Sequence, residues 1–265
     1  MRTATTWPLA RQVGNDLRAS IRRPQVIVVA LLVIVIPPVS GVVALPGYAF
    51  DHWMPYLTLM FDTVALPFPL IVALLSQPRI LDEWSNTYAL LTRTRVNRST
   101  YFASRVLVSS LLAASVFFVM TIVSFAVARL TYTDHGYDVP SLGPIESRFD
   151  LSQFWAISPV VYVIVFSLWA ALVAGTVGAW STLLTAVMGN KFMALAAPLV
   201  VWFVANFVLA VLGLEEFSLP PFRFHISQQP IWTAIVGWAA IVLATAGLYV
   251  YVRRRDYQTP GIVRT

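Results

Sequence analysis

Residues that could carry catalytic chemistry are few in this 265-residue sequence, and they are scattered. There is no cysteine, which excludes disulfides, thiol nucleophiles and thiolate metal sites. The three histidines, His52, His135 and His225, are isolated, and neither the HExxH motif of zinc proteases nor the GxSxG motif of serine hydrolases occurs. Glu215 and Glu216 form an acidic pair, but outside the apolar stretches. We therefore expect neither a metal centre nor a catalytic site in this chain.

A nucleotide site of the Walker type is also absent from the sequence. A Walker A motif needs Gly-Lys followed by Ser or Thr, because the lysine and the hydroxyl contact the phosphates and Mg²⁺. The single lysine, Lys191, stands between Asn190 and Phe192. No cofactor is thus expected in this chain, and an ATP-driven process would need a second polypeptide.

Two polar residues interrupt otherwise apolar stretches. Asp62 lies about six residues from one end of the stretch 56–76, or about 9 Å at 1.5 Å per residue. Asn206 lies in the stretch 192–214. An intramembrane acid is costly and is a functional candidate by default, although a structural carboxyl bound to Thr58 or to a neighbouring helix is the alternative. Asn206 either forms a hydrogen bond between two helices or, together with Asp62, belongs to a translocation pathway.

The elements that would position these residues are membrane-spanning helices. Apolar residues make up 58% of the sequence and charged residues 11%, against about 45–50% and about 25% in soluble domains. A bilayer-crossing helix needs about 20 apolar residues. Six stretches qualify: 26–45, 56–76, 106–130, 160–188, 192–214 and 231–252. The sequence predicts an all-α integral membrane protein with one domain, a six-span bundle at 26–252 between tails at 1–25 and 253–265.

The distribution of basic residues predicts the orientation of the bundle. Five arginines precede the first stretch, five lie between the second and the third, Lys191 lies between the fourth and the fifth, and four follow the sixth. The positive-inside rule then places both termini in the cytoplasm. This rule also explains the net charge of +6 without a nucleic-acid partner. The preference for arginine over lysine favours the cytoplasmic membrane of a bacterium.

Two segments on the predicted cytoplasmic side are amphipathic. Residues 1–25 contain one apolar stripe at helical spacing, typical of an interfacial helix that lies on the bilayer. Its members are Leu9, Val13, Leu17 and Ile21. In the loop 77–104, Pro78 ends the second span, and Trp84, Tyr88 and Leu91 share one helical face. This second helix either rests on lipid headgroups or docks on a cytoplasmic partner.

Small residues form a stripe at spacing four in the fourth stretch, at Ala170, Ala174 and Gly178. Small residues let two helices approach closely in a bilayer. The stripe therefore predicts either tight packing within the subunit or an interface between subunits.

The combined pattern resembles the ABC-2 type permease, the membrane subunit of a bacterial ABC exporter. A basic amphipathic helix precedes six spans, a cytoplasmic helix follows the second, and an apolar broken loop, 215–230, precedes the sixth. The family has a Glu, Gly-Thr, leucines and a Pro-Val-Ser-Arg-like stretch after its second span. Five residues of this chain match that pattern, namely Glu83, Thr87, Leu91, Val96 and Arg98. Asn86 stands in place of the Gly, and Arg95 stands in place of the Pro.

The resemblance implies a coupling helix, a short cytoplasmic helix that docks on a separate P-loop ATPase subunit. Its docking residues would be Asp82, Glu83, Thr87, Leu90, Leu91 and Arg98. ATP and Mg would be bound by that ATPase, and a second permease half, identical or homologous, would complete the substrate pathway. The competing interpretations are a non-transporting scaffold or sensor module, and an intramembrane enzyme built around Asp62.

Overall fold

The chain folds into helices. The computed structural model describes residues 9–85, 98–133, 150–188, 190–218 and 231–254, and these ranges contain no strand. Across them the α-helices are α1 (Leu9–Ile21), α2 (Pro24–Ala44), α3 (Trp53–Ala65), α4 (Phe68–Ser76), α5 (Pro78–Ser85), α6 (Arg98–Thr131), α7 (Pro159–Val187), α8 (Lys191–Val211) and α9 (Ile231–Arg254). The all-α class predicted from composition is confirmed for this part of the chain.

Five of these helices are long and apolar enough to cross a membrane, namely α2, α6, α7, α8 and α9. Helices α3 and α4 pass the same test only as a pair, and a bend of 58° separates them. Pro67 and Pro69 explain the bend, because proline offers no backbone N–H and its ring clashes with the preceding turn. The described ranges thus hold five candidate spans, or six with the bent pair, which covers the predicted stretch 56–76.

Helix α6 begins well before the predicted third span. The apolar stretch starts at residue 106, but the helix starts at Arg98 and runs for 34 residues. Its first two turns are polar, so hydropathy alone did not include them. These turns bring Tyr101, Ser104 and Arg105 onto a rigid helix that continues directly into a span.

The central contact of the bundle joins α6 and α7 through small residues. A Cβ added to Gly178 would lie 3.0 Å from the backbone oxygen of Ser109, and one added to Gly175 would lie 3.0 Å from Ser110 Oγ. Helices can approach this closely only where no side chain intervenes, and close approach maximises van der Waals contact in a bilayer. The small-residue stripe therefore packs within the subunit, as the first of its two interpretations predicted.

Side-chain contacts define two ends of the bundle. At one end, a cluster joins Ile80 of α5, Tyr101 of α6, Leu183 of α7 and Val252 of α9. We call this the network end, after the ion network described below. At the opposite end, the far end, the Tyr132 hydroxyl donates to the Phe50 carbonyl at 3.0 Å. The last helix thus returns to the end at which α5 and the start of α6 lie.

Candidate functional site

Three elements of the network end converge on one cluster of buried charges. Helix α1 contributes Asp16, α5 contributes Arg79 and Glu83, and α6 contributes Arg105. All four side chains are largely buried, with 16% or less of each exposed. We call these four residues the ion network. Its two carboxylates and two guanidinium groups balance to zero net charge.

Arg105 is the centre of the ion network. Its Nη2 and Nε atoms bind the two carboxylate oxygens of Glu83 at 2.7 and 3.0 Å, the bidentate geometry that makes arginine–carboxylate pairs strong. Its Nη1 atom lies 2.6 Å from Asp16 Oδ2. One guanidinium group of α6 therefore holds both α1 and α5.

Arg79 closes the ion network from the opposite side. Its Nη2 atom binds Asp16 Oδ1 at 2.7 Å, and its Nε atom binds Glu83 Oε1 at 3.1 Å, one turn along α5. Its Nη1 atom also donates to the Asp16 backbone carbonyl. Each carboxylate thus bridges two arginines, and removal of one member leaves charges without full compensation.

Two hydroxyl groups complete the coordination of the carboxylates. The Tyr101 hydroxyl donates to Glu83 Oε2 at 2.8 Å, and the Ser104 hydroxyl donates to Asp16 Oδ2 at 3.1 Å. Both residues lie in the polar first turns of α6. Buried ion pairs persist only when hydrogen bonds satisfy the remaining lone pairs, and these two donors meet that condition.

Asp16 is a member of the ion network that the sequence analysis did not single out, and the same is true of Arg79 and Arg105. It belongs to a second stripe of α1, formed by Gln12, Asp16 and Ser20 at spacing four, and all three are buried. The spacing was visible in the sequence, but a polar stripe on an amphipathic surface helix usually faces water. Here the polar stripe faces the protein because Arg79 and Arg105 supply partners for its carboxylate.

The predicted interfacial helix is present as α1 over its described residues 9–21. Leu9 and Ile21 of the apolar stripe are exposed, and Val13 and Leu17 are half-buried. Pro24 is the first residue of α2, where its missing N–H costs nothing because that position makes no helical bond. Residues 1–8 of the predicted interfacial segment lie outside the described ranges.

The structure separates the two acidic residues expected to dock on an ATPase. Glu83 is buried, and both of its oxygens bind groups of this chain, so the structure does not present it to a partner. Asp82 is 55% exposed and pairs with Arg23 at 2.5 Å. Arg98 is the first residue of α6. Thr87, Leu90 and Leu91 lie outside the described residues, as does most of the broken loop, 219–230.

The two candidate pathway residues lie on different helices, which share α4 as a neighbour. Asp62 is exposed on α3, nine residues after Trp53, or about 14 Å along the helix. Asn206 is half-buried on α8. Helix α3 packs on α2, α6 and α4, whereas α8 packs on α7 and α4. The structure of one chain therefore does not bring the two residues together as one site.

A narrow crevice lies beside the ion network. Its polar lining includes Ser76, Ser109 and Thr182, with Arg79 and Arg105 at its charged side. Its volume of about 20 Å³ is room for roughly one water molecule. The crevice therefore has room for little more than a water molecule beside the ion network.

A second polar joint at the network end lies at the junction of α4 and α5. Gln77 is fully buried, and its Nε2 atom donates to the Ala194 carbonyl at 2.9 Å and to Ser181 Oγ at 2.7 Å. The Ala194 carbonyl lacks its usual helical partner because Pro198, four residues later, has no N–H. The Gln77 amide replaces that missing donor and thereby ties the end of the bent pair α3–α4 to α7 and α8.

This replacement predicts a specific coupling between Gln77 and Pro198. Gln77→Leu should lower the unfolding free energy by about 1 kcal/mol, because the Ala194 carbonyl loses its donor. In a Pro198→Ala background the new N–H can bind that carbonyl, so the same change should cost much less. Thermal unfolding of the four proteins in detergent measures the coupling. If Gln77→Leu lowered the unfolding free energy equally in the wild-type and the Pro198→Ala backgrounds, Gln77 would not compensate for the proline.

No group of three or more His, Asp or Glu side chains within the described ranges is arranged to hold a metal ion. Comparisons of the chain with protein-family models, with curated proteins and with solved structures find no match. The functional argument therefore depends on the geometry of this chain alone.

Proposed function

We propose that this chain is the membrane-spanning permease subunit of an ATP-driven exporter, coupled to a separate P-loop ATPase. The observation that supports this most is the ion network, which fastens α5 to the first turns of α6 and to α1. A short helix outside the bundle that is fixed to a span in this way can pass a displacement into the bundle. A helix that merely rested on lipid headgroups would not need buried ion pairs.

The proposed topology has six spans with both termini in the cytoplasm of a bacterium. The bent pair α3–α4 counts as the second span in this arrangement. The contact of Val252 with the cluster around Ile80 supports an even number of crossings, because it places the end of α9 beside α5. The arginine-rich segments then lie at the network end, which the positive-inside rule assigns to the cytoplasm.

The proposed mechanism begins in the partner subunit. ATP and Mg bind there, the ATPase closes, and the contact at α5 moves. Because Glu83 holds Arg105 in bidentate geometry, α6 follows α5. Because Asp16 binds both arginines, α1 follows as well, and α1 leads directly into α2. A displacement of α5 thus reaches two candidate spans. It reaches α6 directly and α2 through α1.

Asp62 supports a pathway shared with a second permease half. Its side chain is exposed on a candidate membrane-spanning element, about 14 Å from the start of α3. A carboxylate in contact with lipid tails is costly, whereas one that faces a water-filled cavity or another subunit is not. A second six-span half, identical or homologous, would provide that environment for Asp62 and complete the pathway.

The partner ATPase should co-purify with the wild-type chain from native membranes in mild detergent. We expect mass spectrometry to find a stoichiometric protein with a Walker A motif. Leu91→Glu should reduce its recovery at least tenfold, because a charge would enter the apolar face that the sequence predicts for this segment. Leu214→Glu, an exposed leucine near the far end, serves as the matched control and should retain the partner. Recovery of the intact chain without any P-loop protein would contradict the proposal and favour a scaffold or an enzyme.

A further inference from the structure

The outward side of α1 carries only positive charge. Arg11 and Arg18 on α1 and Arg22 in the turn directly after it are exposed, and continued at 100° per residue they fall within about 40° of one another around the helix axis. Asp16, the only acidic residue between residues 9 and 23, is turned inward and bound by Arg79 and Arg105. The ion network therefore holds α1 in place. It also keeps the only negative charge of α1 away from the exposed surface of the helix.

The apolar stripe of α1 lies between its buried polar stripe and its arginines. Leu9 is 39% exposed and Ile21 is 49% exposed, so both ends of the stripe are uncovered by the chain. Only two residues separate α1 from α2, a candidate membrane span. The stripe is therefore held at the membrane boundary, where an apolar surface beside basic groups fits the junction of acyl chains and headgroups.

We propose that α1 binds anionic phospholipids selectively, with Arg18 and Arg22 as the principal contacts to their phosphate groups. Guanidinium groups bind phosphate oxygens in bidentate geometry, and neutral headgroups lack the net negative charge that attracts a cluster of arginines. The adjoining apolar stripe distinguishes a lipid from an acidic protein partner, because only a lipid offers acyl chains beside the phosphate. This inference does not depend on the proposed transport function.

Lipid binding at α1 would be transmitted through the ion network. Asp16 joins α1 to Arg79 of α5 and to Arg105 of α6, so a lipid that fixes α1 also restrains these two helices. Anionic lipid is thus expected to stabilise the network end against thermal unfolding. The described residues of the far end lie at the opposite end of the bundle from α1, so they should not share this effect.

Native mass spectrometry of the purified full chain tests the proposal, using nanodiscs of equal phosphatidylglycerol and phosphatidylcholine content. The wild type should retain phosphatidylglycerol preferentially. The variant Arg18→Gln/Arg22→Gln should lose that preference, by about fivefold for each arginine at low ionic strength. The matched control is Arg253→Gln/Arg254→Gln, which removes two exposed arginines at the same end but not from α1.

A fluorescent probe gives an independent measurement in the same nanodiscs. The chain contains no cysteine, so Ala19→Cys introduces one labelling site on the exposed part of α1. With an environment-sensitive label, emission should shift to the blue as phosphatidylglycerol content rises, and salt should reverse the shift. This second readout uses intact arginines, so it does not depend on how well the variants fold.

Three results would overturn the proposal. The first is an equal loss of phosphatidylglycerol in the control variant, which would indicate general attraction to the basic end. The second is an unchanged probe signal between zwitterionic and anionic nanodiscs. The third is loss of a co-purifying protein from the α1 variant with unchanged lipid preference, which would show that the arginines dock a protein instead.

Discussion

Glu83→Gln should destabilise the folded protein by about 3 kcal/mol, one of the two largest effects on stability that we expect. The substitution keeps the shape of the side chain but removes a negative charge from a buried cluster that is balanced at zero. In either orientation the amide nitrogen would meet a guanidinium donor, Arg105 Nε at the Oε2 position or Arg79 Nε and Arg105 Nη2 at the Oε1 position, so at least one hydrogen bond becomes a clash of donors. Thermal unfolding in detergent, followed by size-exclusion chromatography, measures the change.

The adjacent acid provides the matched control for this prediction. Asp82→Asn makes the same chemical change one residue earlier on α5, but its ion pair with Arg23 is exposed. Exposed ion pairs contribute little, so the cost should stay within about 1 kcal/mol. If the two variants unfolded at the same temperature, Glu83 would not lie in the buried environment that the ion network gives it.

A double substitution separates the role of charge from the role of shape. Removal of Glu83 and Arg105 together, as Glu83→Leu/Arg105→Met, leaves Asp16 and Arg79 as a balanced pair at 2.7 Å. The double variant should therefore be more stable than the sum of the single effects predicts, because neither single partner is left with an uncompensated charge. Additive losses would contradict a direct interaction between the two side chains.

Under the proposed transport function, the same double variant should fold but lose the coupling between ATP hydrolysis and export. If the ion network passes displacement from α5 to α6, a chain that folds without Glu83 and Arg105 should still bind its ATPase but fail to couple ATP hydrolysis to export. Unchanged export by this variant would contradict the proposed mechanism while leaving the proposed topology intact.

Hydropathy predicted the spans because a long apolar run has few alternatives to a membrane helix. It failed at the start of α6, where the two polar turns between Arg98 and Arg105 belong to the helix although they are not part of the apolar run. The same limit applies to Asp16. The spacing of its stripe was readable, but its partner Arg79 lies 63 residues away in sequence, and local periodicity carries no information about such pairings.

The docking residues show a further limit of sequence reasoning. Asp82 and Glu83 are neighbours of the same chemical type, and the pattern assigned both of them to a contact with the ATPase. On a helix, adjacent residues point about 100° apart, so one can face water while the other faces the interior. Which of the two is buried depends on the position of Arg105, and only the folded chain provides that position.

Gly178→Leu should separate the two central helices and lower the unfolding free energy by about 3 kcal/mol. A Cβ at this position would lie 3.0 Å from the backbone oxygen of Ser109 and 3.2 Å from the Cβ of Ala113. Neither neighbour can move aside by changing a rotamer, because one is backbone and the other is the whole side chain of alanine. The strain must therefore be relieved by moving α6 away from α7, which disturbs every contact along the pair.

Gly247 is the matched control for this last prediction, because it lies in a candidate span of the same chain with nothing within 4 Å of an added Cβ. Gly247→Leu should be neutral or slightly stabilising, since leucine favours a helix over glycine by up to about 1 kcal/mol. Oligomeric state distinguishes the two interpretations of the small-residue stripe. Packing within the subunit predicts that Gly178→Leu lowers the unfolding temperature at every protein concentration. A stripe that served instead as a subunit interface would yield a stable chain that dissociates, and that outcome would overturn the assignment of Gly178 to the contact between α6 and α7.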